Sequence, residues 1–163
     1  MKSRKLYDKI NFRDIKPELD FKFFSNVRSE SSFFLDDARN FDENEVKVFL
    51  SKNRSNYQMV IIDGQPVGYL RLNIVNYEGN NVQSVGLDLA IKFRSKGFAI
   101  PIYKILFERL KTKKVPIVLW VLDFNTRARN LYSKLGFKEI KREKFIQIGS
   151  NRVCQKIMLK LSK

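Results

Sequence analysis

Arg94-Ser-Lys-Gly97-Phe-Ala99 stands between two apolar runs, a strand-like one over residues 85–91 and a helix-like one over 100–110. A strand that passes through a basic, glycine-containing loop into a helix builds a site for an anion. The first N–H groups of a helix have no intrahelical partner and carry about half a positive charge. Gly97 lets a phosphate come close to the backbone, and Arg94 and Lys96 add full charges. A short basic loop with one glycine is also an ordinary surface feature, so the loop needs a companion before it means phosphate.

Asn125-Thr-Arg-Ala128-Arg-Asn-Leu131-Tyr132-Ser-Lys-Leu-Gly136-Phe137 is that companion, and it follows a further apolar strand at 117–122. Asn125 suits a helix N-cap. Ala128, Leu131, Tyr132 and Leu135 fall on one face at helical spacing, and Gly136 stands where a helix ends in a left-handed residue. Together the two segments resemble the GNAT superfamily of N-acetyltransferases. The first matches its Gln/Arg-x-x-Gly-x-Gly/Ala pyrophosphate loop, with Ala99 in the last place. The second matches its Asn-x-x-Ala-x-x-Leu-Tyr-x-x-x-Gly-Phe segment, and the resemblance runs in order over residues 57–138.

The resemblance implies an α/β fold: a mixed antiparallel and parallel central sheet of about seven strands flanked by about four helices. The sheet turns parallel where its fourth and fifth strands splay, and the pantetheine arm of acetyl-CoA lies in that wedge. It also implies a site. Leu87, Asp88 and Leu89 would pair with the pantetheine amides, and Arg94, Ser95, Lys96, Gly97, Phe98, Ala99 and Ile100 would hold the pyrophosphate. A backbone N–H near Leu89 would face the thioester carbonyl. Asn125 and Tyr132 would contact the cofactor, and Tyr132 would protonate the leaving thiolate. A phenol of ordinary pKa, about 10, keeps its proton at neutral pH and can give it to a thiolate of about 8–9. Without the first segment, Tyr132 reads as a core aromatic on an amphipathic helix.

The general base is less legible. Several relatives place a glutamate early on the fourth strand, where this chain has Gln83, which takes no proton. The alanine acetyltransferases of ribosomal proteins carry a glutamate five residues before the asparagine, where this chain has Trp120. Asp88 is the carboxylate nearest in sequence and the candidate base; an amphipathic strand would otherwise turn it to solvent or pair it with a lysine. Glu30, Asp36, Asp37 and Asp123 are weaker candidates, and a water relay off backbone carbonyls is an equal alternative.

The chain of 163 residues contains no histidine and one cysteine. Histidine-based triads and histidine metal sites are therefore excluded, and no metal is expected. Cys154 has no partner for an internal disulfide, which suits a reducing cytoplasm; it reads as a small buried residue on a late strand. No apolar run is long enough to cross a membrane, and the opening residues lack a leader core. The length suits a single domain over 1–163. The net charge is +15, and residues 92–163 carry 19 basic and 4 acidic side chains, so the whole surplus lies with the two segments above. Such a field would steer coenzyme A. A solvated lysine-rich surface accounts for most single lysines. Nucleic acid is disfavoured, because the basic residues form no dense run and no zinc-finger or aromatic RNA-binding motif is present.

Strand–helix signals surround Pro17, an acid-led helix is expected over 42–50, and strands over 57–62, 66–74 and 82–91, with turns at Asp63-Gly64 and at 78–81. Two closing strands, 137–148 and 152–161, flank residues 149–151. The acceptor would be shaped by residues 27–43, which loosely resemble amino-sugar nucleotide acetyltransferases. Arg28 is the candidate substrate-binding residue, pairing with a phosphate through its planar fork; otherwise it is a surface arginine ending a helix. Phe33 and Phe34 suit core or lid packing. Three functions stand: acetyl transfer from acetyl-CoA to a small primary amine, an amino-sugar nucleotide foremost; acetylation of a protein lysine or N-terminus; and a non-catalytic acyl-CoA-binding or basic module. Family members are often homodimers, though nothing in these residues compels it.

Overall fold

A computed structural model describes residues 9–162. The opening residues 1–8, on which the missing leader core was read, lie outside the described residues. Among the described residues no helix is long and apolar enough to cross a membrane.

The strands are β1 (Ile10–Asp14), β2 (Tyr57–Ile62), β3 (Gln65–Tyr77), β4 (Asn80–Leu89), β5 (Ile117–Leu122), β6 (Phe137–Ile146) and β7 (Val153–Leu161). They form one seven-stranded sheet in the order β1-β2-β3-β4-β5-β7-β6. β4 and β5 pair in parallel at Gln83↔Ile117 and Ser84↔Val118, while β1/β2, β2/β3, β5/β7 and β6/β7 are antiparallel. The α-helices are α1 (Pro17–Ser31), α2 (Glu43–Asn53), α3 (Ala99–Leu110) and α4 (Thr126–Lys134). This is the mixed sheet with four helices that the resemblance implies.

Local chemistry explains the boundaries. Pro17 opens α1, where its missing N–H costs nothing, and the Lys16 N–H donates to Asp20, whose carboxylate also takes both ends of the Arg13 guanidinium at 2.7 Å. Asp42 caps α2 in a reciprocal box with Glu45, both bonds 2.8 Å. The hairpins turn at Asp63-Gly64 and Glu78-Gly79, all four residues at positive φ. β4 stops earlier than its apolar run suggests. The Ala90 N–H still donates to the Val67 carbonyl, but the Ile91 N–H goes to the Glu30 side chain, and a 3₁₀ turn, Ile91–Phe93, follows.

The described chain falls into two compact units. The first comprises the chain up to Glu30, Phe41–Leu72 and Leu87–Lys114. Its core joins Phe24 and Val27 of α1, Val46 and Leu50 of α2, Met59, Tyr69 and Ala90, and Phe24 stacks on Tyr69 at 4.3 Å. The second comprises Ser31–Asn40, Asn73–Gly86 and the chain from Val115 onward. There Val82, Val118 and Met158 pack with Val75, Tyr77 and Trp120. In the same unit Gln147 donates to the carbonyls of Phe33 (2.9 Å) and Leu35 (2.7 Å), tying the 31–40 segment to the β6–β7 connection. Phe33 and Phe34 are neither core nor buried: they are 49% and 40% exposed, and Arg152 lies 4.0 Å over the Phe33 ring.

In the first unit β3 and β4 approach closely at Gly68. A Cβ there would stand 2.2 Å from the Asp88 carbonyl oxygen and 2.9 Å from the Leu89 Cα. Both are backbone atoms, so the strand itself would have to move. Gly68→Ala is expected to destabilise the fold by about 2–3 kcal/mol, the usual cost of overpacking, seen as a lower urea midpoint. An unchanged midpoint would show that β4 gives way freely at this point.

Candidate active site

The first unit carries the strand end and the loop expected to meet the cofactor. Leu87, Asp88 and Leu89 are the last residues of β4, and Arg94 to Phe98 form the turn into α3. Ser95 (φ +60°) and Gly97 (φ +81°) both take left-handed backbone. α3 begins without a side-chain cap: Phe98 precedes it in helical conformation and caps nothing. Pro101 removes one donor from the first turn, which leaves Ala99 and Ile100 to present theirs. A Cβ built on Gly97 meets nothing within 4 Å, so the space beside the loop is open. Left-handed turns, an uncapped helix start and free space fit a diphosphate.

Arg94 makes bonds at the entry of the loop. Its Nε donates to the Leu89 carbonyl (2.8 Å) and its Nη1 to the Glu30 carbonyl (3.2 Å), while the Glu30 carboxylate accepts from the Ile91 N–H (2.7 Å). The guanidinium thus fastens the end of β4 and the last turn of α1 to the start of the loop. Lys96 is left as the loop's exposed cation.

Asp88 is buried, and its Oδ2 lies 3.1 Å from Arg71 Nε, with side-chain exposures of 10% and 41%. The expected lysine or solvent is replaced by an arginine of β3. Arg28 is 7% exposed rather than a surface arginine, and its guanidinium lies 4.0 Å over the Phe41 ring. Arg71 escaped the sequence reading. The available signal was an arginine two residues after Tyr69, hence on the same face of the strand as that core tyrosine.

The second unit carries the other segment. Asn125 Oδ1 accepts from the Ala128 N–H at 3.2 Å, as an N-cap should. Tyr132 is buried on α4, edge-on to Phe137 with ring centres 5.8 Å apart. Gln83, in the place of a possible base, is buried, and its Nε2 donates to the carbonyls of Asn73 and Ser84. Asp36 pairs with Lys156, and Asp37 with Arg39. Cys154 is buried on β7, and burial pushes its thiol up. Among the described residues no cluster of three or more His, Cys, Asp or Glu could hold a metal ion.

The acetyltransferase (GNAT) family model matches residues 17–137, and the chain belongs to that family. Solved structures agree on the fold. A GNAT-family acetyltransferase from Bacillus anthracis is 20% identical, covers 94% of each chain and superposes with a TM-score of 0.78. The ribosomal-protein-alanine N-acetyltransferase of Brucella melitensis is 16% identical, with 92% of this chain and 98% of that one covered and a TM-score of 0.76. YncA of Salmonella typhimurium, solved with its cofactor acetyl-CoA, is 12% identical over 94% of each chain, with a TM-score of 0.73. No curated protein matches the sequence. Acetyl transfer is this family's reaction, and acetyl-CoA its donor.

The Glu30–Ile91 bond gives the loop between β4 and α3 a support outside itself. Glu30→Ala is expected to weaken acetyl-CoA binding about 5- to 10-fold, the worth of one charged hydrogen bond that orders the loop entry. Glu30→Gln keeps an accepting oxygen and should recover most of it. Equal calorimetric affinities for all three proteins would make the bond irrelevant to the loop.

Proposed function

We propose that the chain is an acetyl-CoA-dependent N-acetyltransferase that acts as one domain in the cytoplasm and acetylates the primary amine of a small molecule by direct attack, an amino-sugar nucleotide being the acceptor to try first. The observation that carries the reading is the loop between β4 and α3, with its left-handed Ser95 and Gly97, its uncapped helix start and open space beside Gly97. The family match draws on segments of both compact units, which supports treating them as one catalytic domain.

Acetyl-CoA supplies an acetyl group already activated as a thioester. The N–H groups of Ser95 to Ile100 and the Lys96 ammonium hold its diphosphate, and the backbone of Leu87, Asp88 and Leu89 pairs with its amides. An N–H near Leu89 is the donor to the thioester carbonyl oxygen. The acceptor must present a neutral amine, and Asp88 takes its proton, giving up Arg71 to do so. Asn125 caps α4 and so orients Tyr132, which returns a proton to the departing sulfur. Arg28 belongs to the acceptor side.

The test measures loss of the thioester and gain of amide when purified protein, acetyl-CoA and a panel of amines are mixed, with amino-sugar nucleotides, polyamines and basic peptides as separate arms. Product with an amino-sugar nucleotide supports the reading. Product with peptides alone would move the acceptor to proteins. Acetyl-CoA that binds and is never consumed would leave a cofactor-binding module.

A further inference from the structure

In the second unit, three stretches of chain far apart in sequence bring side chains together at the surface. Phe33 and Phe34 come from the 31–40 segment, Phe124 from the link between β5 and α4, and Arg152 from the turn that enters β7. Phe33 stands edge-on to Phe34, with ring centres 4.9 Å apart, and to Phe124 at 5.4 Å. The Arg152 guanidinium lies 4.0 Å from the Phe33 ring centre and 4.7 Å from that of Phe124. Phe33 and Phe34 are exposed, while Phe124 and Arg152 are half-buried.

A buried amide holds the backbone beneath this cluster. Gln147, 1% exposed, donates to the Phe33 and Leu35 carbonyls and accepts from the Ser150 hydroxyl. Its own N–H donates to the Arg152 carbonyl (2.9 Å), and the Arg152 N–H donates to Ser150 Oγ (3.2 Å). The Ala38 N–H donates to the Ile148 carbonyl (2.9 Å) and the Ile148 N–H to the Asp36 carbonyl (3.0 Å). One buried side chain thus fixes the backbone of both Phe33 and Arg152. The network orders a piece of surface rather than a core.

Arg152 is a cation without an anion. Among the described residues its guanidinium meets the two rings, and no hydrogen bond or ion pair ties it to an oxygen. The acids of the 31–40 segment pair with other cations, Asp36 with Lys156 and Asp37 with Arg39. Asp123 bears on Cys154 as Arg152 does, yet no ion pair joins the two among the described residues. An aromatic face attracts a guanidinium but accepts no ordinary hydrogen bond. The planar set of N–H donors is therefore held by ring contact and suits a carboxylate or phosphate.

We propose that Arg152 receives an anionic group of the acceptor, carboxylate or phosphate, while a ring of the same molecule rests on the exposed Phe33 and Phe34. Phe124 directly precedes Asn125, the cap of the helix that carries Tyr132, so the cluster adjoins the leading end of α4. The proposal rests on the acetyltransferase reading above and adds what selects among amines: a planar body beside a negative charge. Polyamines, which have neither, are disfavoured.

Two probe pairs without an amine test the site by itself, each pair differing in its anion: uridine monophosphate against uridine, and phenylpropionate against phenylpropionamide. Saturating coenzyme A keeps phosphate out of the loop between β4 and α3. Dissociation constants come from titrating the amide resonances of wild type, Arg152→Gln and Arg152→Lys, with melting temperatures to check folding. In wild type at least one anionic probe should bind about 10-fold more tightly than its partner, the worth of a charge-assisted pair. Arg152→Gln should erase that difference, and Arg152→Lys should recover it more for phosphate than for planar carboxylate. The pair that responds names the anion. An Arg152 that merely covers the two rings would leave both wild-type ratios near one, and that result overturns the proposal, as does a preference that survives Arg152→Gln.

The reading beneath it fails separately. If no amine yields amide while the wild-type preference stands, Arg152 remains an anion site and only the acetyltransferase reading falls. If amide forms at rates indifferent to an anionic group on the amine, the acetyltransferase reading stands and Arg152 has no part in choosing the acceptor.

Discussion

Gly97→Glu is expected to weaken acetyl-CoA binding at least about 100-fold while the protein still melts cooperatively. Two costs combine. The residue sits at φ +81°, where a side chain costs about 1–2 kcal/mol. The added carboxylate then stands at the mouth of the N–H groups meant for the diphosphate, opposing a charge-assisted interaction of about 2–3 kcal/mol. Steric clash is not the cause, because the space a Cβ would fill is empty to 4 Å. Gly97→Ala therefore isolates the backbone term and should lose only about 5- to 10-fold. Calorimetric titration should find wild-type affinity in the micromolar range, about −8 kcal/mol. A Gly97→Glu protein that binds as tightly as wild type would mean that the diphosphate is held elsewhere, and the basic carboxy-terminal half would need another explanation.

Tyr132→Phe is expected to lower kcat about 100-fold with KM for acetyl-CoA nearly unchanged. Proton transfer from a positioned general acid is worth about 100-fold at the low end of its usual range. The ring is buried edge-on to Phe137, and a phenylalanine keeps that contact, so the melting temperature should barely move. An unaltered kcat would return Tyr132 to the role of core aromatic on α4.

The parts of the fold that could be read in advance were those with local causes. Asn125 caps α4 because its side chain reaches an N–H three residues on. Asp63-Gly64 turns because both residues accept positive φ. The loop at 94–99 was legible for the same reason, since glycine position and flanking periodicity lie within a few residues of one another. What stayed hidden depends on partners far away in the chain. Glu30 ends β4 from sixty-one residues away, Arg71 meets Asp88 across two strands, and Gln147 binds carbonyls more than a hundred residues earlier. Each side chain is polar in an element whose pattern explains only its apolar neighbours. Arg94 too has distant partners that its neighbours in sequence do not announce. Its Nε and Nη1 donate to the Leu89 and Glu30 carbonyls, the second of them sixty-four residues away.

Cys154 has a consequence for how the reaction can be watched. Every turnover sets free one coenzyme A thiol. The protein's single thiol is buried on β7, with its proton held more tightly than in an exposed cysteine. A disulfide dye that colours on meeting thiolate should therefore see the product first and the catalyst hardly at all. Such a reagent can stay in the cuvette from the first second, without staining or inactivating the protein that makes the signal.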